Sequence, residues 1–314
     1  AHSLSGQAEA SYSFTATAFA GWRPWAGGEL YFNPEMASGH PLSDLNGLER
    51  LEAYRREIRS PEDLAGYLGT IENGQSFGAL AGDRGVGTFG GSEDHTAILC
   101  GREGELSLYS FCPVHHERQV SFPADHGLVV AVSGIVAEKT GAAMASYNRA
   151  SFAARAVLEA WNRATGGSDP CLGRAVAKAG PSPIRRAIAS NTPEGFDAGA
   201  LLDRFEQFYQ ESEEILPAAA QALDECRLGD FGRLVDRSQA LAERLLGNQV
   251  PETIALAHSA RDLGAVAASA FGAGFGGSVW ALVPSAAASA FTESWQRAYR
   301  AACPGPAGAA RFLF

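Results

Sequence analysis

The residues with the clearest chemical potential are the glycines of Gly272-Ala-Gly-Phe-Gly-Gly277. Four glycines in six positions let the backbone take positive φ and turn its amide N–H groups toward an anion. The run also fits the GxGxxG pattern, but a dinucleotide site needs a helix directly after the glycines, with its N-terminus facing a pyrophosphate. Here the chain continues as Ser278-Val-Trp-Ala-Leu-Val283, which is a strand pattern and argues against that chemistry. Two readings remain: an anion cradle between strands, or a tight hairpin that holds no ligand. A second feature is the carboxylate of Asp94 on the glycine-rich stretch Phe89-Gly-Gly-Ser-Glu-Asp94. By residue type alone it is a turn former or a helix cap. His115-His116-Glu117 suggests a metal site, yet adjacent residues of a strand point to opposite faces and cannot chelate one ion. They are read as exposed loop or strand-edge residues. Five scattered cysteines form no CxxC pair and no Cys/His ligand spacing, so neither a disulfide framework nor a zinc site is indicated.

These residues must be held by elements that the periodicity outlines. Leu48, Leu51 and Tyr54 fall at helical spacing, and Pro61-Glu-Asp opens another helix. A Thr/Ala/Phe stretch near the start has strand character, beside an irregular Trp22-Arg-Pro-Trp25 cluster. After the glycine-rich loop 74–91, strands are expected over Thr96–Cys100 and Leu106–Phe111, followed by a buried strand over Gly127–Ser133. Ala150, Ala153, Ala154, Val157, Leu158 and Trp161 line one face of a helix ended by Gly166-Gly167. Two further helices carry stripes from Leu201 to Ile215 and from Leu234 to Leu245. Strands over Ala267–Phe271 and Ser278–Val283 flank the glycines, a helix carries Phe291, Trp295 and Tyr299, and Ala310–Phe314 reads as a last strand. Strands and helices mix without strict alternation. The expectation is therefore α+β, with helices layered on mostly antiparallel sheet.

The segment Gly272–Val283 resembles the third motif of the GHMP kinases, which in galactokinases reads close to TGAGFGGCVVALV. Three other stretches are similar to galactokinase patterns. Phe89–Leu99 resembles the CGIMDQ loop and the short apolar segment after it, with His95 where Gln is usual and about ten extra residues, Ala79 to Thr88, upstream. Ser133–Lys139 with Ala145-Ser-Tyr147-Asn-Arg149 resembles NSNVKH…SSEYNxRR. Leu228–Leu234 with Ser238-Gln-Ala-Leu resembles GDxxxFGxLMxxSHxSL, a scaffold segment in which Gln239 replaces His; Ser269 stands near the place of a usual arginine. The resemblance implies a two-domain GHMP-kinase-like architecture, with an incomplete N-terminal unit over 1–125 and a C-terminal unit over 126–314. It implies an ATP- and Mg²⁺-dependent kinase acting on galactose or a related sugar or uronic acid, at the anomeric hydroxyl. Asp94 would serve the acceptor hydroxyl, Glu72 would help hold magnesium, Tyr147 would lie against the sugar, and Gly272, Ala273, Gly274, Phe275, Gly276 and Gly277 would close over the nucleotide. These residue types suit the reaction. Phosphoryl transfer is mainly positioning and charge stabilisation, a carboxylate can take the acceptor proton, and magnesium needs one or two carboxylates besides phosphate and water. Tyr147 also fits a plain half-buried helix position.

Two family motifs have no counterpart: the N-terminal PGRVNLIGEHTDY and the phosphate loop PxGxGLSSSAA, near whose expected place stands Pro34-Glu-Met-Ala-Ser-Gly39. The expectation is that the sequence omits segments of a longer polypeptide. The alternatives are a catalytically silent galactokinase-like sensor of sugar and nucleotide, or another GHMP small-molecule kinase with a mevalonate-like or homoserine-like acceptor. A net charge of −10 without like-charge blocks repels phosphate backbones, which argues against nucleic-acid partners. No apolar run nears the roughly 18 residues a membrane span requires. Scattered thiols and no visible leader point to a soluble, cytoplasmic protein.

Overall fold

The computed structural model describes residues 14–16, 47–102, 104–137 and 144–314. The Trp22–Trp25 cluster, the Pro34–Gly39 segment and Glu138-Lys139 lie outside them. The first half contains a strand β1 (Phe14–Ala16), helices α1 (Gly47–Glu57), α2 (Pro61–Asn73) and α3 (Glu93–Cys100), and strands β2 (Leu106–Ser110), β3 (His115–Val120) and β4 (His126–Val132). The second half opens with helices α4 (Met144–Thr165), α5 (Leu172–Ala179), α6 (Pro181–Asn191) and α7 (Ala198–Tyr209). It continues through α8 (Leu216–Asp224), α9 (Leu228–Leu241), α10 (Pro251–Asp262), β5 (Ala267–Phe271), β6 (Ser278–Pro284), α11 (Ala288–Ala302) and β7 (Arg311–Leu313). The expected α+β class is what the structure shows.

Both sheets are antiparallel. One runs β1-β2-β3, and the other runs β5-β6-β4-β7. The second sheet is covered on both sides, and its alternation shows how. Val279, Ala281 and Val283 of β6 join Val129 and Ala131 of β4 under α10 and α11, where Trp295 and Tyr299 are fully enclosed. Leu282 of β6 and Ala267 of β5 point the other way, into a layer of α8, α9 and the first sheet's Leu106, Leu108 and Val120. The polar tips of the two large aromatics are satisfied: Trp295 Nε1 donates to Leu256 O at 3.0 Å and Tyr299 Oη donates to Ser133 O at 2.6 Å. Burying each such side chain contributes roughly 1.5–3 kcal/mol. A third core joins α4, α5, α6 and α7 through Val157, Leu172, Ile184, Leu201 and Phe205.

Two local expectations change. Thr96–Cys100 is the body of helix α3 and not a strand. Its short apolar run satisfies either period. Glu93 and Asp94 decide the outcome, because acidic residues in a first turn are stabilised by the helix N-terminus. Thr96 adds a bond from Oγ1 back to Ser92 O at 2.7 Å. The stripes read over 201–215 and 234–245 are also not uniform α-helix. Each ends in a π-helical segment, Gln210–Ile215 after α7 and Ala242–Leu246 after α9.

Candidate active site

Helix α2 begins where Ser60 Oγ accepts from Asp63 N and Pro61 occupies the first turn. It ends at Asn73, where Gly74 turns left-handed and returns its N–H to Thr70 O at 2.8 Å. Glu72 therefore sits in the last turn, on the wall of a cleft of about 1010 Å³ including its open mouth. The glycine-rich loop after α2 forms the next part of that wall and is tied from two sides. Buried Asn73 donates through Nδ2 to Gly90 O at 3.0 Å. Buried Asn148 of α4 donates to Gly87 O at 2.9 Å and accepts from Phe89 N at 3.1 Å. The guanidinium of Arg155, also on α4, lies 5.0 Å from the Phe89 ring centroid, a cation–π contact. Tyr147 reaches the loop so closely that a Cβ on Gly90 would stand 2.2 Å from its hydroxyl, so a larger residue there would displace the phenol.

Asp94 follows in the first turn of α3, exposed on the cleft beside Glu93 and His95. His95 Nε2 lies 3.2 Å from Glu72 Oε1, outside hydrogen-bond alignment, so it borders that carboxylate without being fixed by it. Among the described residues no group of three or more His, Cys, Asp or Glu side chains could hold a metal by itself. A magnesium ion that arrives with a nucleotide needs only one or two protein carboxylates. Glu72, on this cleft, is a carboxylate that could serve it.

The opposite wall comes from α4, α7 and the π-helical segment after it. Arg204 of α7 is buried, donating to Ala150 O at 3.3 Å and to Gln207 Oε1 at 2.7 Å. Glu211 lies two turns further along, its Oε1 accepting from Ser238 Oγ of α9 at 2.9 Å. Burial pushes its carboxyl up to about 7, against the opposing pull of the Ser238 bond and the Arg237 charge.

The glycine loop closes the cleft between β5 and β6, with Gly272, Ala273 and Phe275 on its surface. Buried Asn248 clamps this loop, its backbone oxygen accepting from Phe275 N at 2.6 Å and its Nδ2 donating to Ala273 O at 3.3 Å. Gly277 N donates to Ile135 O at 2.9 Å, and Gly277 O accepts from Ser133 N at the same distance. The amides of Phe275 and Gly277 thus serve the fold, whereas those of Ala273, Gly274 and Gly276 bond to none of the described residues. Behind the loop, buried Gln239 of α9 accepts from Ser269 Oγ and Ala270 N, both at 2.9 Å, and so fixes β5.

Of the sequence-derived candidates, Glu72, Asp94, Tyr147, Gly272, Ala273 and Phe275 share the one cleft. Gly274 turns toward Asn248, Gly276 packs against Ile135, and Gly277 continues the sheet. His115 and His116 lie on β3, exposed and half-buried, away from the cleft. The sequence reading missed Arg204, Glu211 and Asn248. The 204–207–211 spacing places three polar residues on one helix face, a signal that the apolar stripe of the same helix overrides; Asn248 carried none.

Residues 219–301, from α8 into α11, match the model of the family described as GHMP kinases C terminal. No curated protein sequence matches the chain. Among solved structures, the fold is similar to Lactococcus lactis galactokinase complexed with galactose, with a TM-score of 0.61 and 22% identity over 83% of this chain. The chain spans 61% of that galactokinase's length. L. major mevalonate kinase in complex with R-mevalonate aligns with a TM-score of 0.41 and 17% identity, over 68% of this chain and 50% of its own. No described helix is long and apolar enough to cross a membrane. Residues 219–301 thus match a GHMP kinase C-terminal domain, within a fold similar to that of a galactokinase.

Proposed function

We propose that the chain is part of an ATP-dependent small-molecule kinase whose acceptor is a sugar, galactose or a relative of it. The observation that carries this reading is the convergence of Glu72, Asp94, Tyr147 and the 272–275 loop on one cleft, from positions some 200 residues apart. On this reading residues 1–125 and 126–314 form two GHMP-like units, with the cleft between them. A bound magnesium ion would neutralise charge on the transferring phosphoryl group, with Glu72 as its protein carboxylate. Asp94 accepts the proton of the attacking hydroxyl or orients it. Its place in the first turn of α3 keeps that carboxylate at the positive end of the helix dipole. The amide of Ala273, on the cleft surface, offers a donor to phosphate oxygens, and Tyr147 packs against the sugar, with Gly90 leaving room for its hydroxyl. The test is a coupled ADP-release assay on the purified polypeptide with hexoses, amino sugars and uronic acids beside mevalonate and homoserine. Turnover on a sugar supports the reading and eliminates the silent sensor. Turnover confined to mevalonate-like or homoserine-like acceptors overturns the sugar assignment.

A further inference from the structure

Glu211 is set into the cleft wall in a way that ordinary helix packing does not account for. It is the second residue of the π-helical segment Gln210–Ile215, an insertion that widens the turn and recurs at functional sites. One carboxyl oxygen is held by Ser238, and the other, Oε2, is enclosed with no hydrogen-bond partner among the described residues. An enclosed acceptor without a donor is unfavourable, and more so when charged. Such groups are few in native structures, and each calls for an explanation. The final torsion of a glutamate is broad, so a modest turn of the carboxyl can bring the unsatisfied oxygen toward the cleft that Glu211 lines.

The surrounding charges say what could satisfy it. Glu72 and Asp94 face the same space. Arg204, the cation of that wall, already donates to Ala150 O and Gln207. A ligand hydroxyl or ammonium meets acceptors here, whereas a ligand carboxylate meets like charge. We infer that Glu211 selects the phosphoryl acceptor: its second carboxyl oxygen takes a hydroxyl or ammonium donor from the sugar and disfavours sugars bearing a carboxylate. The inference rests on the sugar-kinase reading above and narrows it. Burial raises the carboxyl to about 7, so near neutrality the ionised form, which accepts from a hydroxyl or ammonium and repels a carboxylate, coexists with the protonated form, which can donate to a hydroxyl.

The experiment is calorimetric binding of galactose, galactosamine and galacturonate to the wild type and to Glu211→Gln, in the presence of a non-hydrolysable ATP analogue. Glutamine keeps an acceptor for Ser238 and removes the charge, and the thermal midpoint of the variant reports that it folds. The wild type is expected to bind galactosamine or galactose at least about tenfold more tightly than galacturonate. In Glu211→Gln that gap is expected to shrink by about tenfold. A wild type that prefers galacturonate, or a variant that keeps the wild-type ranking, overturns the role of Glu211 and leaves the kinase reading standing. A folded wild type that binds none of the three overturns the sugar reading, and this inference falls with it.

Discussion

The glycine loop offers a paired test of how much its shape depends on Asn248. Gly274 and Gly272 have nearly the same φ, +83° and +80°. A Cβ at Gly274 would stand 2.2 Å from the backbone oxygen of Asn248, whereas one at Gly272 would meet nothing within 4 Å. Left-handed backbone costs an L-residue roughly 1–2 kcal/mol, and both alanine variants bear that alike. Only Gly274→Ala must also push Asn248 away, which displaces the Phe275 N–H bond to Asn248 O and the Asn248 Nδ2 bond to Ala273. Each lost bond adds roughly 0.5–1.5 kcal/mol, so the two variants should differ by about 2 kcal/mol. Amide hydrogen exchange at Phe275 reads the difference directly. Exchange should be faster in Gly274→Ala than in Gly272→Ala by more than about tenfold, with core strands β4 and β6 unaffected in both. Equal acceleration in the two variants would refute the reasoning, since backbone strain alone would then explain the loop.

Asp94→Asn should lower kcat on the accepted sugar by about 10²–10⁴-fold and leave nucleotide affinity nearly unchanged; an unaltered kcat rules out the proton-accepting role. Glu211 is raised from 4.5 to about 7, so the folded state holds its proton more tightly than the unfolded chain does. Its stabilising contribution is complete below about pH 4.5 and lost as pH rises through about 7, by at most about 3 kcal/mol. Urea midpoints of the wild type and Glu211→Gln should therefore diverge from pH 4.5 to 8, the variant gaining; parallel curves contradict the assignment. Gln239→Ala strips the acceptor from Ser269 Oγ and Ala270 N inside the core and should cost about 2–4 kcal/mol, seen as a lowered thermal midpoint. A midpoint within a degree of the wild type would mean that water replaces the amide.

The parts legible in the sequence were those fixed by local pattern. The glycine run between two apolar segments could only be a strand–loop–strand, and the alanine-rich stripe ending at Trp161 could only be a long helix. Thr96–Cys100 was illegible because five residues satisfy both periods, and the deciding charges, Glu93 and Asp94, lie outside the apolar run. The wall made by Arg204, Gln207 and Glu211 was masked by the apolar stripe of the same helix, which dominates any reading of its periodicity. The π-helical widening that seats Glu211 has no sequence signature. Asn73, Asn148, Gln239 and Asn248 look like ordinary polar residues until the fold carries them to backbone groups distant in the chain, and long-range pairing of that kind leaves no local trace.

Those four amides have a consequence for how the cleft responds to its surroundings. The straps on the loop before Asp94, on the glycine loop and on β5 are neutral donors and acceptors bonded to backbone. Neutral bonds of this kind are indifferent to ionic strength, whereas exposed ion pairs on the outer helices, such as Arg227 with Asp230, are screened over a Debye length of about 8 Å in physiological salt. Adding salt should therefore soften the periphery of the molecule and weaken the hold on a charged ligand, while the scaffold that places Asp94 and the glycine loop keeps its geometry. The cleft is built so that its frame and its charges can vary independently.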